Sequence, residues 1–234
     1  MMTDNNRNWV PSMSMYIDEE ALMKLIQRHG YIEFLRRNRE RSIIKVVSGI
    51  RRCGKSTLFR LFKDELLAEG VKPEQIISIN FEDLEYEPLR EYHRLYQYIL
   101  NQMQPNQMNY IFLDEIQHVD QFHRVVDSLF VKENTDIYIT GSNAYFMSSD
   151  IATLLTGRYV EIQMLPLSFA EFYYSKYEEQ QYSLIPAYEA YLRESSFPYT
   201  QQLGGEDFDI QEYLRGLYNT LLLHDVVARL KISD

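Results

Sequence analysis

"VVSGIRRCGKSTLFRLF", residues 46–62, passes from an apolar run through glycine and arginine into a helical pattern. Its centre, Gly49-Ile50-Arg51-Arg52-Cys53-Gly54-Lys55-Ser56, fits G-x-x-x-x-G-K-[ST] at every fixed position. The context is the required one, because the motif follows an apolar strand pattern and opens a helix. Glycines let the loop wrap closely, so that successive backbone N–H groups face a phosphate chain and the helix N-terminus adds partial positive charge. The segment Gly49, Ile50, Arg51, Arg52, Cys53, Gly54, Lys55, Ser56 and Thr57 is therefore the expected nucleotide cradle. Within it Lys55 is expected to reach the β and γ phosphates, and the Ser56 hydroxyl to ligate Mg²⁺.

Working outward, short apolar runs alternate with helical stretches. "SIIKVVS", "QIISINF", "NYIFLDE", "DIYITGS" and "RYVEIQML" read as five strands, with helices between them such as "KSTLFRLFKDELLAE" and "QFHRVVDSLFVKE". That alternation specifies an α/β fold with a mostly parallel sheet covered on both faces. Upstream, apolar residues recur at helical spacing from Tyr16 to about Arg39, with a break near Gly30. After "PLSFAEFYY" the pattern turns helical: Phe169–Tyr177, Ile185–Arg193, and Ile210 to the end, where apolar periodicity is still running. The expected division is a tail and leading helices over 1–40, a core over 41–167 and a helical subdomain over 168–234, with a further C-terminal domain to follow.

"YIFLDEIQ" supplies the second half of the site. Asp114, closing an apolar strand, is expected to hold Mg²⁺ through water, and Glu115 to orient or deprotonate the water that attacks the γ-phosphate. The second acidic residue favours hydrolysis over transfer to an acceptor. At the tip of the fourth strand Thr140, Ser142 and Asn143 are candidates to touch the γ-phosphate or that water, with Asn143 and Ser142 furthest toward the C-terminal end where open α/β sheets bind ligands. Asn80 is placed similarly on the second strand and is a weaker candidate to restrain Glu115.

Composition bounds the rest. The chain has 234 residues, a net charge of −10, one cysteine (Cys53), 19 Tyr and 12 Phe. No disulfide can form within it, no window approaches the ~18 apolar residues that a bilayer demands, and there is no leader-type segment, so a soluble cytoplasmic protein is expected. The acidic total disfavours broad capture of DNA, although "RRNRER" (Arg36 to Arg41) leaves a local basic patch open; a mixed-charge helix face is the plainer reading. The aromatic abundance reads as packing. His118 and His123 lack zinc-site spacing.

"SGIRRCGKST", "INFED", "YIFLDEIQ", "YITGSN" and "LTGRYVEIQMLPLSFAEF" in this order resemble the bacterial and archaeal AAA+-type ATPases, whose ATPase module carries a helical lid and a C-terminal domain of unknown function. The resemblance spans roughly residues 16–234. It implies a P-loop NTPase of ASCE type, a parallel five-stranded sheet in order 5-1-4-3-2 within a three-layer α/β/α core, and a helical lid. It implies an Mg²⁺-dependent ATPase coupled to rearrangement of a protein client or of its own C-terminal domain; the alternative is an ATP-dependent switch with little turnover. It also implies that Arg158, directly before the fifth strand, reaches the γ-phosphate of a neighbouring subunit in a homo-oligomer, against a structural pairing with an acidic residue such as Glu161 or Glu171. Two departures stand out. Ser195-Ser196 replace a glycine pair before Phe197-Pro198, and Arg193, Arg215 and Arg229 compete for a lid sensor role.

Overall fold

The third strand, β3 (Asn109–Asp114), is buried along its whole length. Successive strand residues face opposite ways, so Ile111 and Leu113 enter one core while Tyr110 and Phe112 enter another. Two buried faces are what a continuous apolar run demands, and they require helices above and below. The computed structural model describes residues 26, 28–142, 155, 157–177, 182–203 and 207–221. Within these, β1 (Ile44–Gly49), β2 (Ile76–Asn80), β3, β4 (Thr135–Ser142) and β5 (Tyr159–Met164) form one parallel sheet in the order β2-β3-β4-β1-β5. This is the 5-1-4-3-2 order of P-loop NTPases, as the resemblance implied.

Helices α1 (His29–Asn38) and α2 (Lys55–Ala68) cover one face; α3 (Tyr92–Gln102) and α4 (Phe122–Phe130) cover the other. The break expected near Gly30 falls just before it: residues 26 and 28 are non-helical and α1 begins at His29, with Gly30 in its first turn. Between β2 and β3 the α-helix does not begin until Tyr92. Pro88 and the Asp83 cap fold Leu84–Arg90 into a 3₁₀ segment, and the Glu91 carboxylate accepts the His93 and Arg94 N–H groups to begin α3.

Under α2 the core is aromatic. Phe112 and Tyr138, paired across β3 and β4, stack at 4.6 Å, with Phe59 at 5.2 Å from Phe112 and Phe62 at 5.4 Å from Tyr138. Below them, at the N-terminal end of the sheet, the fully buried Lys45 ammonium is paired with Asp136, whose carboxylate also accepts from Tyr138 Oη at 2.7 Å and Glu40 N at 2.8 Å. Arg36 and Arg39 of the basic run are engaged by Glu33, Glu65, Glu69 and Glu40, which makes that stretch a mixed-charge face.

Past β5 come α5 (Phe169–Tyr177), α6 (Leu184–Glu194), a 3₁₀ turn (Pro198–Gln202) and α7 (Asp207–Leu221). Ser168 and Glu171 form a capping box on α5: the Ser168 hydroxyl accepts Glu171 N at 3.3 Å, and the Glu171 carboxylate accepts Ser168 N at 2.8 Å. Aromatic edges join α5 to α6, with Phe169 at 5.1 Å from Tyr188 and Phe172 at 5.3 Å from Tyr191. Much of the tyrosine and phenylalanine content is spent in these two clusters. Ser195, ending α6, stands at φ 75°, ψ 163°, backbone that glycine adopts freely, so the turn keeps a glycine's shape despite its serine.

Candidate active site

Parallel strands bring their C-terminal ends to one edge. Gly49 pairs with Ser142 on one side and Met164 on the other, and Asn80 pairs with Asp114. At Gly49 the neighbouring strand comes so close that an added Cβ would sit 2.4 Å from the Met164 carbonyl oxygen, which excludes any side chain. The chain then turns through Arg52 at φ 67° and Gly54 at φ 106° into α2. This left-handed backbone is what the second motif glycine is for.

Lys55 is buried, and its Nζ donates to the Gly49 and Ile50 carbonyls at 3.1 and 3.3 Å while standing 3.1 Å from Glu115 Oε1. Glu115 follows β3 in a left-handed conformation (φ 54°) and also accepts from Gln117 Nε2. Burial pushes its carboxyl upward, but the Lys55 ammonium and the Gln117 amide hold it below the ordinary range. Asp114 shifts the other way. Burial raises its carboxyl, and the hydroxyls of Ser56 and Thr140 offset only part of that. Adjacent carboxyl groups thus have opposite electrostatics: one a salt-bridged anion, the other a desolvated carboxyl facing hydroxyls.

Thr140 makes this arrangement specific. Its buried hydroxyl donates to Asp114 Oδ1 and accepts the Glu115 N–H at 2.9 Å. It is spent on positioning the acidic pair and does not face outward as a phosphate contact would. Ser142, two residues on, is at the strand tip; Asn143 lies outside the described residues. Asn80 does not restrain Glu115: its Oδ1 accepts Glu82 N at 3.0 Å, and Lys55 and Gln117 hold the glutamate instead. Cys53 is fully buried and burial pushes its thiol up, the behaviour of a small packing residue and not of a reactive thiol.

Arg158 is far from its own chain's loop. Its carbonyl accepts Ile44 N at the start of β1, so the six-residue strand separates it from Gly49 by about 20 Å. Its guanidinium is 3.4 Å from Asp127, while Glu171 is taken by Arg28. Of the arginines weighed past β5, Arg193 is 3.9 Å from Glu194 and Arg229 lies outside the described residues; Pro198 approaches the loop, its Cγ 3.8 Å from where a Cβ on Gly54 would stand.

Sequence reasoning missed three participants. Gln117 and Arg28 carry no motif that marks them. Glu171 was visible as the fourth residue of "SFAE", a capping-box pattern. Arg28 is 4 % exposed, and its guanidinium donates to Cys53 O (3.2 Å), Leu165 O (2.7 Å), Pro166 O (3.3 Å) and both Glu171 carboxylate oxygens (2.8 and 3.0 Å).

The AAA domain family matches residues 41–173. An uncharacterised protein of Haemophilus influenzae is 38% identical over 213 residues, covering 90% of this chain and 52% of the relative. The chain spans about half the length of the curated relatives it matches. Among solved structures, a Walker-type ATPase of Pyrococcus abyssi superposes with a TM-score of 0.57 at 16% identity, covering 88% of this chain and 76% of that one. The replication initiator DnaA bound to AMPPCP and single-stranded DNA gives 0.52 at 12% identity, covering 91% and 74%. Likeness at this level establishes the shared fold. No described helix is long and apolar enough to cross a membrane.

Proposed function

We propose that this chain, which belongs to the AAA domain family, binds Mg²⁺-ATP at residues Gly49–Thr57 and hydrolyses it, with the energy directed to a conformational change in a partner or in a further part of its own protein. The observation that carries this reading is the position of Glu115: an anion held below the usual carboxylate range, 3.1 Å from the Lys55 ammonium, directly after a strand-end aspartate that meets Ser56.

The described residues contain no group of three or more His, Cys, Asp or Glu arranged around a metal. Two protein oxygens, those of Ser56 and Asp114, fit Mg²⁺ well, because this ion takes few protein ligands and completes its shell with phosphate oxygens and water. When bound there it would neutralise charge on the β and γ phosphates. Lys55 would exchange its carbonyl partners and Glu115 for phosphate oxygens. Glu115, released from Lys55, would orient the attacking water and accept its proton. Asn143 is assigned to the γ-phosphate or that water. Arg158, too distant to act within its own chain, would supply charge to a neighbouring subunit's γ-phosphate in a homo-oligomer.

The test is Mg²⁺-ATP turnover against protein concentration for the native chain, Glu115→Gln and Arg158→Ala. Turnover per subunit that rises with concentration, vanishes in Glu115→Gln and loses its rise in Arg158→Ala supports the whole reading. ATP binding with near-background turnover in all three would favour an ATP-dependent switch, for which the Lys55–Glu115 pair is the supporting observation, since it occupies the base. DNA as a partner draws little support from the acidic total and the paired arginines of α1. A fluorescent single-strand titration at two salt concentrations tests it, and salt-insensitive or absent binding removes it.

A further inference from the structure

Arg28 has no place in the reading above, yet it is the most completely bonded side chain near the loop. A guanidinium carries five N–H donors in one plane. All five are used here: one on Cys53 O in the nucleotide loop, one each on Leu165 O and Pro166 O where the chain leaves β5, and two on the Glu171 carboxylate in α5. Tyr31 backs the arrangement, with its ring 4.5 Å from the guanidinium carbon and its hydroxyl accepting Leu165 N at 3.2 Å. The pieces so joined are otherwise separate in sequence: the loop, the exit from the sheet, and the first helix of the lid.

The bond to Cys53 O has a directional consequence. In a planar trans peptide the C=O and N–H point opposite ways. Drawing the Cys53 carbonyl toward Arg28 therefore turns the Gly54 N–H away from Arg28, to the opposite side of that peptide. Arg28 also places positive charge behind that amide, which polarises it as a donor. The same rigid plane is held at its other end by Glu171, so a shift of α5 that carries Glu171 rotates or breaks the bond on the loop.

We propose that Arg28 is a positioning residue that couples ATP affinity at the loop to the placement of α5 through Glu171. This rests on the loop being the ATP site. Coupling is reciprocal, so ATP that selects one peptide orientation in the loop also selects one position of Glu171, and the lid is informed of the loop's state without touching the nucleotide at this point.

The experiment is titration of a fluorescent ATP analogue with Mg²⁺ into the native 234-residue chain, Glu171→Ala, Arg28→Lys, the double variant and Ser168→Ala, with thermal unfolding of each in the absence of nucleotide. Glu171 makes no bond to the loop among the described residues, and Ser168→Ala removes the hydroxyl half of the same capping box, which also donates to Glu171 Oε2 at 3.0 Å, while keeping the Ser168 N–H and both Arg28 bonds on that carboxylate. Coupling predicts that Glu171→Ala weakens the analogue roughly 5- to 20-fold, the lower part of the usual range for coupled sites. It predicts that Ser168→Ala lowers the Tm and weakens binding far less than Glu171→Ala, since Arg28 keeps both its bonds to the carboxylate, and that the double variant binds no worse than Arg28→Lys. The proposal is overturned if Glu171→Ala binds within about twofold of the native chain, if Ser168→Ala weakens binding as much as Glu171→Ala, or if the single losses multiply in the double variant. Should Arg28→Lys fail to fold, the comparison of Glu171→Ala with Ser168→Ala decides alone. Lys55→Ala separates the two readings. Native binding that depends on Lys55 but ignores Glu171 removes only the coupling, whereas no Lys55-dependent binding removes the ATP site and the coupling with it.

Discussion

Replacing Thr140 by valine keeps its shape and deletes one hydroxyl. That oxygen is buried, donates to the Asp114 carboxylate and accepts the Glu115 N–H at 2.9 Å. Loss of a hydrogen bond to a charged group costs about 1.5–3 kcal/mol, and a buried N–H left without a partner costs about 1–3 kcal/mol. The two contributions place Thr140→Val about 2.5–6 kcal/mol below the native chain, a large share of a typical stability of about 5–15 kcal/mol. Thr140→Ser keeps the hydroxyl and removes a methyl group, at about 1 kcal/mol. Urea unfolding of the three proteins measures the difference, and ATP turnover below the transition region measures the consequence for Glu115. Its left-handed backbone is anchored by that hydroxyl, so turnover in the valine variant should fall at least tenfold while the serine variant stays within a few-fold. If valine and serine prove equally stable, the hydroxyl is not carrying the two bonds assigned to it. If valine is unstable but turns over normally once folded, Thr140 does not position the glutamate.

Three further outcomes follow from individual residues. Burial holds the Asp114 carboxyl above its unfolded value, so between those two values the native chain binds more protons and stability falls as pH rises; Asp114→Asn should raise the Tm at neutral pH and flatten that slope while weakening Mg²⁺-dependent ATP binding, and a lower Tm would contradict the electrostatics. Ser195→Gly should stabilise the chain by about 0.5–2 kcal/mol, since a strained backbone of about 1–3 kcal/mol is relieved against a glycine entropy cost near 0.5–1 kcal/mol; chemical denaturation would show the midpoint move up, or down if the serine is not strained. Asp136→Asn should cost about 3–5 kcal/mol by stranding the Lys45 charge, with Lys45→Met added to it restoring much of the loss; a double variant as unstable as the sum of the singles would mean the pair is not coupled.

Much of the fold was legible because its signals are local. The five apolar runs are the five strands, each within two residues of the expected ends, and Phe169–Tyr177 is a helix with those same limits. The loop was legible for the same reason: Gly49, Gly54, Lys55 and Ser56 are required at fixed spacing by the backbone they build. What escaped was non-local or cooperative. Thr140 looked like one of several polar tips on β4, and only the neighbouring strand reveals that its hydroxyl is consumed by Asp114 and Glu115. Arg28 is separated from Glu171 by 143 positions, and nothing in either residue's surroundings announces the other. For Arg158 the structural alternative was a pairing with some acidic residue, Glu161 and Glu171 being the examples; the one it meets is Asp127 of α4, which only the packing of that helix on the sheet supplies.

The aromatic cluster under α2 sets an order in time. Phe59 and Phe62 ride on the helix that begins at the loop, and Phe112 and Tyr138 on the two central strands, so helix and strands are interlocked by ring faces and edges. Such a unit opens only when the domain does, whereas elements joined by a few polar bonds open earlier and more often. Amide hydrogen exchange should therefore run on two clocks: hours or longer for β3, β4 and the middle of α2, and much faster for α5 to α7. The loop lies at the boundary, its far end fixed to the slow part through α2 and its Cys53 carbonyl tied through Arg28 to the fast part. On the proposed coupling, motions of α5 would be felt at Cys53–Gly54 while the platform that carries Lys55 stays still.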